Sequence, residues 1–286
     1  MKIQARFYET YELCAIVDAV LDDPMEHARM LEAFHCDDQW TSLVEPFEKN
    51  SAFHRFISFI VHDAYSEQAA AVELDIRKKI VRNFVRIPAA IQDLTPHLLP
   101  IEVAFNCHGI QHTSFEEYLS ESGKSFGEAT EDDIHDFMSE LWLTQPYEDL
   151  LNQTVAEIFH VLFQNRLLLV RFNEYVSGII SDSDFSKVED LPAHLFSPKR
   201  TLKRVRPPSW AQRAVFFRDR GRCVMCDKDL SGLTNLANVE NYDHIVPLAK
   251  FGLNDVSNLQ LLCSECNQQE KKDRAAITSN VYQTWF

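Results

Sequence analysis

The stretch YDHIVPLAKFGLNDVSNLQLLCSECN, residues 242–267, sets Asp243, His244, Asn258 and Asn267 among apolar residues and closes on the pair Cys263-x2-Cys266. Its pattern predicts local structure directly. DHIVPLA and NLQLLC read as two short strands, the first bent at Pro247. KFGLNDVS between them supplies Gly252 and Asn254 as turn formers. Ser264 is placed to cap a helix over SECNQQEKKDRAA, which sets Asn267 and Lys271 four residues apart on one face. A strand–loop–strand–helix unit of this size has a thin apolar core and needs a staple.

The staple is legible upstream. A second pair, Cys223-x2-Cys226, precedes the first with 36 residues between them. Two such turns offer four thiolates to one tetrahedral ion, which suits Zn²⁺. All-cysteine ligation leaves no open position, so the expected role is structural. A long loop between ligand pairs adds little closure entropy, so the spacing is no objection. The other cysteines, Cys14, Cys36 and Cys107, are scattered, and paired spacing in a cytosolic chain points to metal more than to disulfides. The four ligands bracket Asp243, His244 and Asn258, and Asn267 follows the last of them directly. Zinc would therefore pin the ends of the segment that carries the polar residues.

The combined pattern is Cys-x2-Cys, then Asp243-His244-Ile-Val-Pro, Asn254-Asp255-x2-Asn258-Leu and Cys263-x2-Cys266-Asn267. It closely resembles the HNH endonuclease family, and the upstream WAQRAVFFRDRGRCVMC resembles the helix that leads into the first zinc pair of bacterial members. The resemblance covers roughly residues 205–275. It implies a ββα-metal fold, hydrolysis of DNA to 5′-phosphate and 3′-hydroxyl ends, and a role for Asn258 in hydrogen-bonding the loop and orienting His244. Many relatives carry His at the last position; Asn267 stands there in this chain, a departure that bears on metal preference.

The chemistry is coherent without the resemblance. Phosphodiester hydrolysis needs an activated water, a neutralised phosphate and a stabilised leaving oxygen. His244, with a near-neutral intrinsic pKa, suits the general base. Asp243 and Asn267 offer hard oxygen donors for a catalytic Mg²⁺ or Mn²⁺ and leave room for substrate oxygens. The rival reading is a noncatalytic zinc-stabilised DNA-binding module, which needs none of these three residues.

Candidate phosphate contacts surround the stretch. In the helix predicted over residues 210–220, Trp210, Ala214 and Phe217 are expected to be buried, with Arg213, Arg218, Arg220 and Arg222 left for phosphate. Lys271, Lys272 and Arg274 extend that surface, the alternative being a solvated helix face. Five of the eight residues 199–206 are basic, and Pro207-Pro208 follows them. This segment is read as a basic linker that grips phosphate.

Charge divides the 286-residue chain at the same place. The net charge is −15, but residues 199–286 carry 14 Lys and Arg against 9 Asp and Glu, a balance of +5, leaving −20 on residues 1–198. We therefore expect an acidic domain over 1–198, a linker over 199–208 and a nuclease domain over 209–286. With only 7 Gly but 20 Phe, the first domain reads as helical, making the whole chain mainly α with a small ββα-metal domain. Helices are expected near 8–21, 24–35, 51–64 and 67–86, and at 131 onward behind an N-cap at Thr130. A four-three apolar spacing over 147–180 predicts one long bundle helix; its alternative is a dimerising coiled coil with Asn165 in the seam.

No apolar run reaches the roughly 18–20 residues of a membrane span, and the N-terminus lacks a signal-peptide core, so a cytoplasmic protein is expected. The acidic domain carries no ATPase loop. Two roles are open to it: binding a partner such as a separate ATPase or sensor, as in HNH effectors of bacterial anti-phage systems, or covering the basic nuclease until displaced.

Overall fold

The computed structural model describes residues 8–84, 98–186, 188, 191–232 and 241–271. Among them the chain is mainly helical, with one two-stranded sheet. No helix among the described residues is long and apolar enough to cross a membrane. The helices are α1 (Tyr8–Asp22), α2 (Ala28–His35), α3 (Ala52–Ala70), α4 (Leu74–Phe84), α5 (Pro100–His108), α6 (Phe115–Glu121), α7 (Glu131–Leu141), α8 (Gln145–Leu162), α9 (Arg166–Asp182) and α10 (Ser209–Arg218). The sheet pairs β1 (Asn241–His244) with β2 (Leu259–Leu262).

Compactness divides the chain into Met1–Leu13 with Ser58–Ile158, and Cys14–Ile57 with Phe159–Phe286. This division does not fall at the 199–208 linker. The unit that holds the hairpin also includes residues 14–57 and 159–198, where the Phe47 N–H donates to Asn254 O at 2.8 Å and Asn173 Nδ2 to Ser257 Oγ at 3.4 Å.

The first unit is an all-helical bundle whose helix starts are written in sequence. Thr130 accepts the Asp133 N–H and Asp133 returns to the Thr130 N–H, a reciprocal cap at the head of α7. Ser114 and Glu117 do the same for α6. Glu102 is buried, and its carboxylate accepts the N–H groups of Leu99 at 2.6 Å and Phe115 at 3.0 Å, tying α5 to the start of α6. Phe115 packs on Phe137 at 5.3 Å within this core.

In the second unit Phe53 and Phe56 of α3 pack on Phe172 of α9 with ring centroids 4.9 and 5.3 Å apart. His54 stacks on Phe159 at 3.6 Å, and desolvation lowers its pKa to about 4, so this half-buried ring is neutral at ordinary pH. The single helix expected over 147–180 is two. Asn165 sits between α8 and α9 and accepts the Leu168 N–H at 3.2 Å, capping α9. An amide that competes for backbone in this way favours a helix start over a coiled-coil seam.

Asp255 joins the hairpin loop to the helices. One carboxylate oxygen accepts the N–H of Ala52, the first residue of α3, at 2.9 Å; the other accepts the Ser257 N–H at 2.8 Å. The α3 terminus thus has a buried acidic partner where its dipole is positive. Burial pushes the Asp255 pKa up, against the pull of these donors and of nearby Arg55. Asp255→Ala would strand two buried N–H groups, each costing about 1–3 kcal/mol. We expect it to lower the urea midpoint by the equivalent of about 3 kcal/mol. A shift no larger than that of the exposed control Glu121→Ala would contradict this.

Candidate nuclease centre

The two cysteine turns are built by backbone. In the first, the Cys223 N–H donates to the Lys228 carbonyl at 3.0 Å and the Asp227 N–H to Cys223 O at 2.9 Å. In the second, the Cys266 N–H points at Cys263 Sγ, 3.4 Å away. The four sulfurs lie within 4.8 Å of one another. Cys226 Sγ and Cys263 Sγ are 3.7 Å apart, close to the ~3.8 Å that tetrahedral geometry gives two sulfurs about 2.3 Å from one zinc. Among the described residues this is the only such cluster of potential metal ligands. The residues fit structural zinc.

Between the turns, β1 and β2 pair antiparallel, with Asp243 opposite Gln260 and His244 opposite Leu259. The far side of β2 is closed by side chains and by the first cysteine turn. The Val224 N–H donates to Leu261 O at 3.0 Å. Arg218 Nη2 donates to Leu259 O at 2.6 Å, and Asp219 accepts the Leu261 N–H at 2.9 Å. Arg218 and Asp219 are themselves paired through two hydrogen bonds, 2.8 and 2.9 Å, with both side chains buried.

This corrects the expectation for Arg218. It is no phosphate contact but a buried strand cap, and its guanidinium also lies over the Phe163 ring at 5.0 Å. The buried face of α10 is accordingly Ala211, Val215 and Arg218, one residue on from the predicted stripe, and Phe217 is 74% exposed. An arginine counted as polar hid the true face. Arg213 and Arg220 are exposed; Arg222 is half-buried and pairs with Asp227 at 3.1 Å. The side chain of Lys271, together with Lys272 and Arg274, lies outside the described residues.

His244 ends β1 and is 2% exposed. The loop after it is tied to β2 by Asn258. Asn258 Oδ1 accepts the Val246 N–H at 2.7 Å, while Nδ2 donates to Val246 O at 3.0 Å and Leu253 O at 2.8 Å. The Ile245 N–H reaches Asn258 O at 2.6 Å. All of these bonds go to backbone. Asp243 is half-buried beside His244, and Asn267 is half-buried with its N–H donating to Cys263 O at 3.0 Å. The segment expected as an α-helix after Ser264 takes π-helical geometry over Cys266–Lys271.

Three residues gained roles that pattern reading did not assign: Asp255, Asp219 and Asn254. The sequence marks Asn254 only as a turn former. Its side chain is 3% exposed and bonds to backbone far away in sequence, which only the folded chain displays.

Residues 223–273 match the family model of the HNH endonucleases. No curated protein and no solved structure matches the chain.

Proposed function

We propose that the chain is a divalent-metal-dependent endonuclease that hydrolyses DNA. The observation that carries this reading is the placement of His244 at the end of β1, on a loop locked by Asn258, in a segment matching the HNH family. His244 is the general base that takes the proton of the attacking water. Asp243 and Asn267 are the donors that would hold Mg²⁺ or Mn²⁺, and such an ion, when bound, neutralises the phosphate and stabilises the leaving oxygen. Asn258 keeps the His244 loop in shape, and Cys223, Cys226, Cys263 and Cys266 hold zinc away from the chemistry. Arg213, Arg220 and Arg222, with Lys271 and Lys272, are the proposed phosphate contacts.

Residues 1–198 carry a charge of −20, which disfavours contact with a polyanion. That charge supports a protein partner for this part, and with it the role of a gated cytoplasmic effector such as those of anti-phage systems. Cutting the chain after residue 198 is a poor test of gating, because it removes Ala52, the partner of Asp255. The test of the activity itself is supercoiled plasmid incubated with the full zinc-loaded chain. Nicked or linear product that forms with Mg²⁺ or Mn²⁺ and disappears without them is expected. Retarded but uncut DNA would favour the noncatalytic binding module.

A further inference from the structure

Asn254 connects two parts of the proposed centre that sequence order separates. Its Oδ1 accepts the Val205 N–H at 3.2 Å, and its Nδ2 donates to Lys203 O at 2.8 Å. The amide thus docks the basic strap that carries exposed Lys203, Arg204 and Arg206. These two bonds also settle which end of the amide is oxygen, since a backbone N–H requires an acceptor and a backbone carbonyl a donor. The same Oδ1 lies 3.3 Å from His244 Nε2. An amide oxygen can only accept, so the facing ring nitrogen must carry the proton.

We propose that Asn254 is a positioning residue that fixes neutral His244 as its Nε2–H tautomer and ties that ring to the strap at residues 203–206. The expected effect on turnover rests on the nuclease reading; the tautomer itself does not. In this arrangement one side chain orients the base and holds the basic strap beside it. Second partners of this type set ring orientation and basicity elsewhere in protein sites.

The test reads the tautomer and turnover separately. The full zinc-loaded chain is labelled with ¹⁵N-histidine, and two-bond ¹H–¹⁵N correlations are recorded at alkaline pH, where a neutral ring predominates. The His244 signals are assigned among the eleven histidines by their loss in His244→Gln. The wild type is expected to show the Nε2–H pattern. Asn254→Ala is expected to give a mixture of tautomers and a kcat about tenfold or more lower. Asn254→Asp keeps an acceptor toward His244 and Val205 but sets a second carboxylate oxygen against the Lys203 carbonyl, and is expected to restore the tautomer with a kcat between those of Asn254→Ala and wild type. A wild-type Nδ1–H pattern overturns the proposal, as does an Asn254→Ala spectrum identical to wild type or a failure of Asn254→Asp to restore the pattern. If the wild type cuts no DNA at all, the nuclease reading fails, while the spectra still decide the tautomer.

Discussion

Cys263→Ser is expected to abolish stoichiometric zinc binding and unfold the hairpin. Cys263 is 3% exposed, its sulfur receives the Cys266 N–H and it faces Cys226 Sγ at 3.7 Å. Serine offers a shorter, harder donor in that place and breaks the tetrahedral set. Structural zinc contributes about 10–16 kcal/mol to the folding of small zinc domains at neutral pH, which exceeds what a two-stranded sheet supplies from its own core. The cost also spreads beyond the ligand. Cys263 directly follows β2, and Val224 of the opposite turn bonds to Leu261 within it. Metal analysis is expected to show zinc lost, and hydrogen exchange to show the β1 and β2 amides unprotected. Full zinc with protected strand amides would show that the sulfurs are not the staple.

Gly252→Ala is expected to be nearly as damaging, for a steric reason. A Cβ at residue 252 would stand 1.9 Å from Val246 O and 2.7 Å from Val246 C, with Asn258 Nδ2 3.0 Å away. The obstacle is backbone, which cannot swing aside as a side-chain tip can. Relief requires opening the loop that Asn258 holds through Val246 and Leu253. Freeing those buried polar groups costs about 1–3 kcal/mol each. We expect a loss of about 4 kcal/mol or more, of the size reserved for overpacking and broken buried networks. Limited proteolysis at the 245–258 loop reads it, with cleavage in the variant and resistance in the wild type. A variant as resistant as wild type would show that the loop has room to shift.

Legibility in the sequence followed the range of the forces involved. The cysteine pairs are local patterns, and the structure brings their four sulfurs together. Strand β2 lies within the predicted NLQLLC, whereas β1 keeps only Asp243 and His244 of the predicted DHIVPLA and begins at Asn241. The caps at Thr130 and Ser114 obey the same short-range rules. What escaped was long-range and polar. Arg218 looks like a surface cation until Asp219 and the backbone of β2 are folded against it. Asn254 looks like a turn former until residues 203 and 205 arrive beside it. Asp255 gives no hint in sequence that its partner is Ala52, 203 residues away. Asn165 misled in the opposite direction: a spacing that ran through it concealed a helix start. Net charge drew a line at 198, whereas compactness places residues 14–57 in the same unit as the hairpin.

The central claim is that this hairpin is a hydrolytic centre with His244 as its base. The most direct test compares single-turnover cleavage of a labelled DNA duplex by wild type and His244→Ala, each with Mg²⁺ and with zinc content and helicity matched beforehand. His244 is not among the four sulfur ligands, so zinc should be retained in the variant. Removing a general base is predicted to slow the chemical step by about 10²–10⁴-fold, with DNA affinity little changed. Cleavage by the zinc-loaded variant at the wild-type rate would contradict the account.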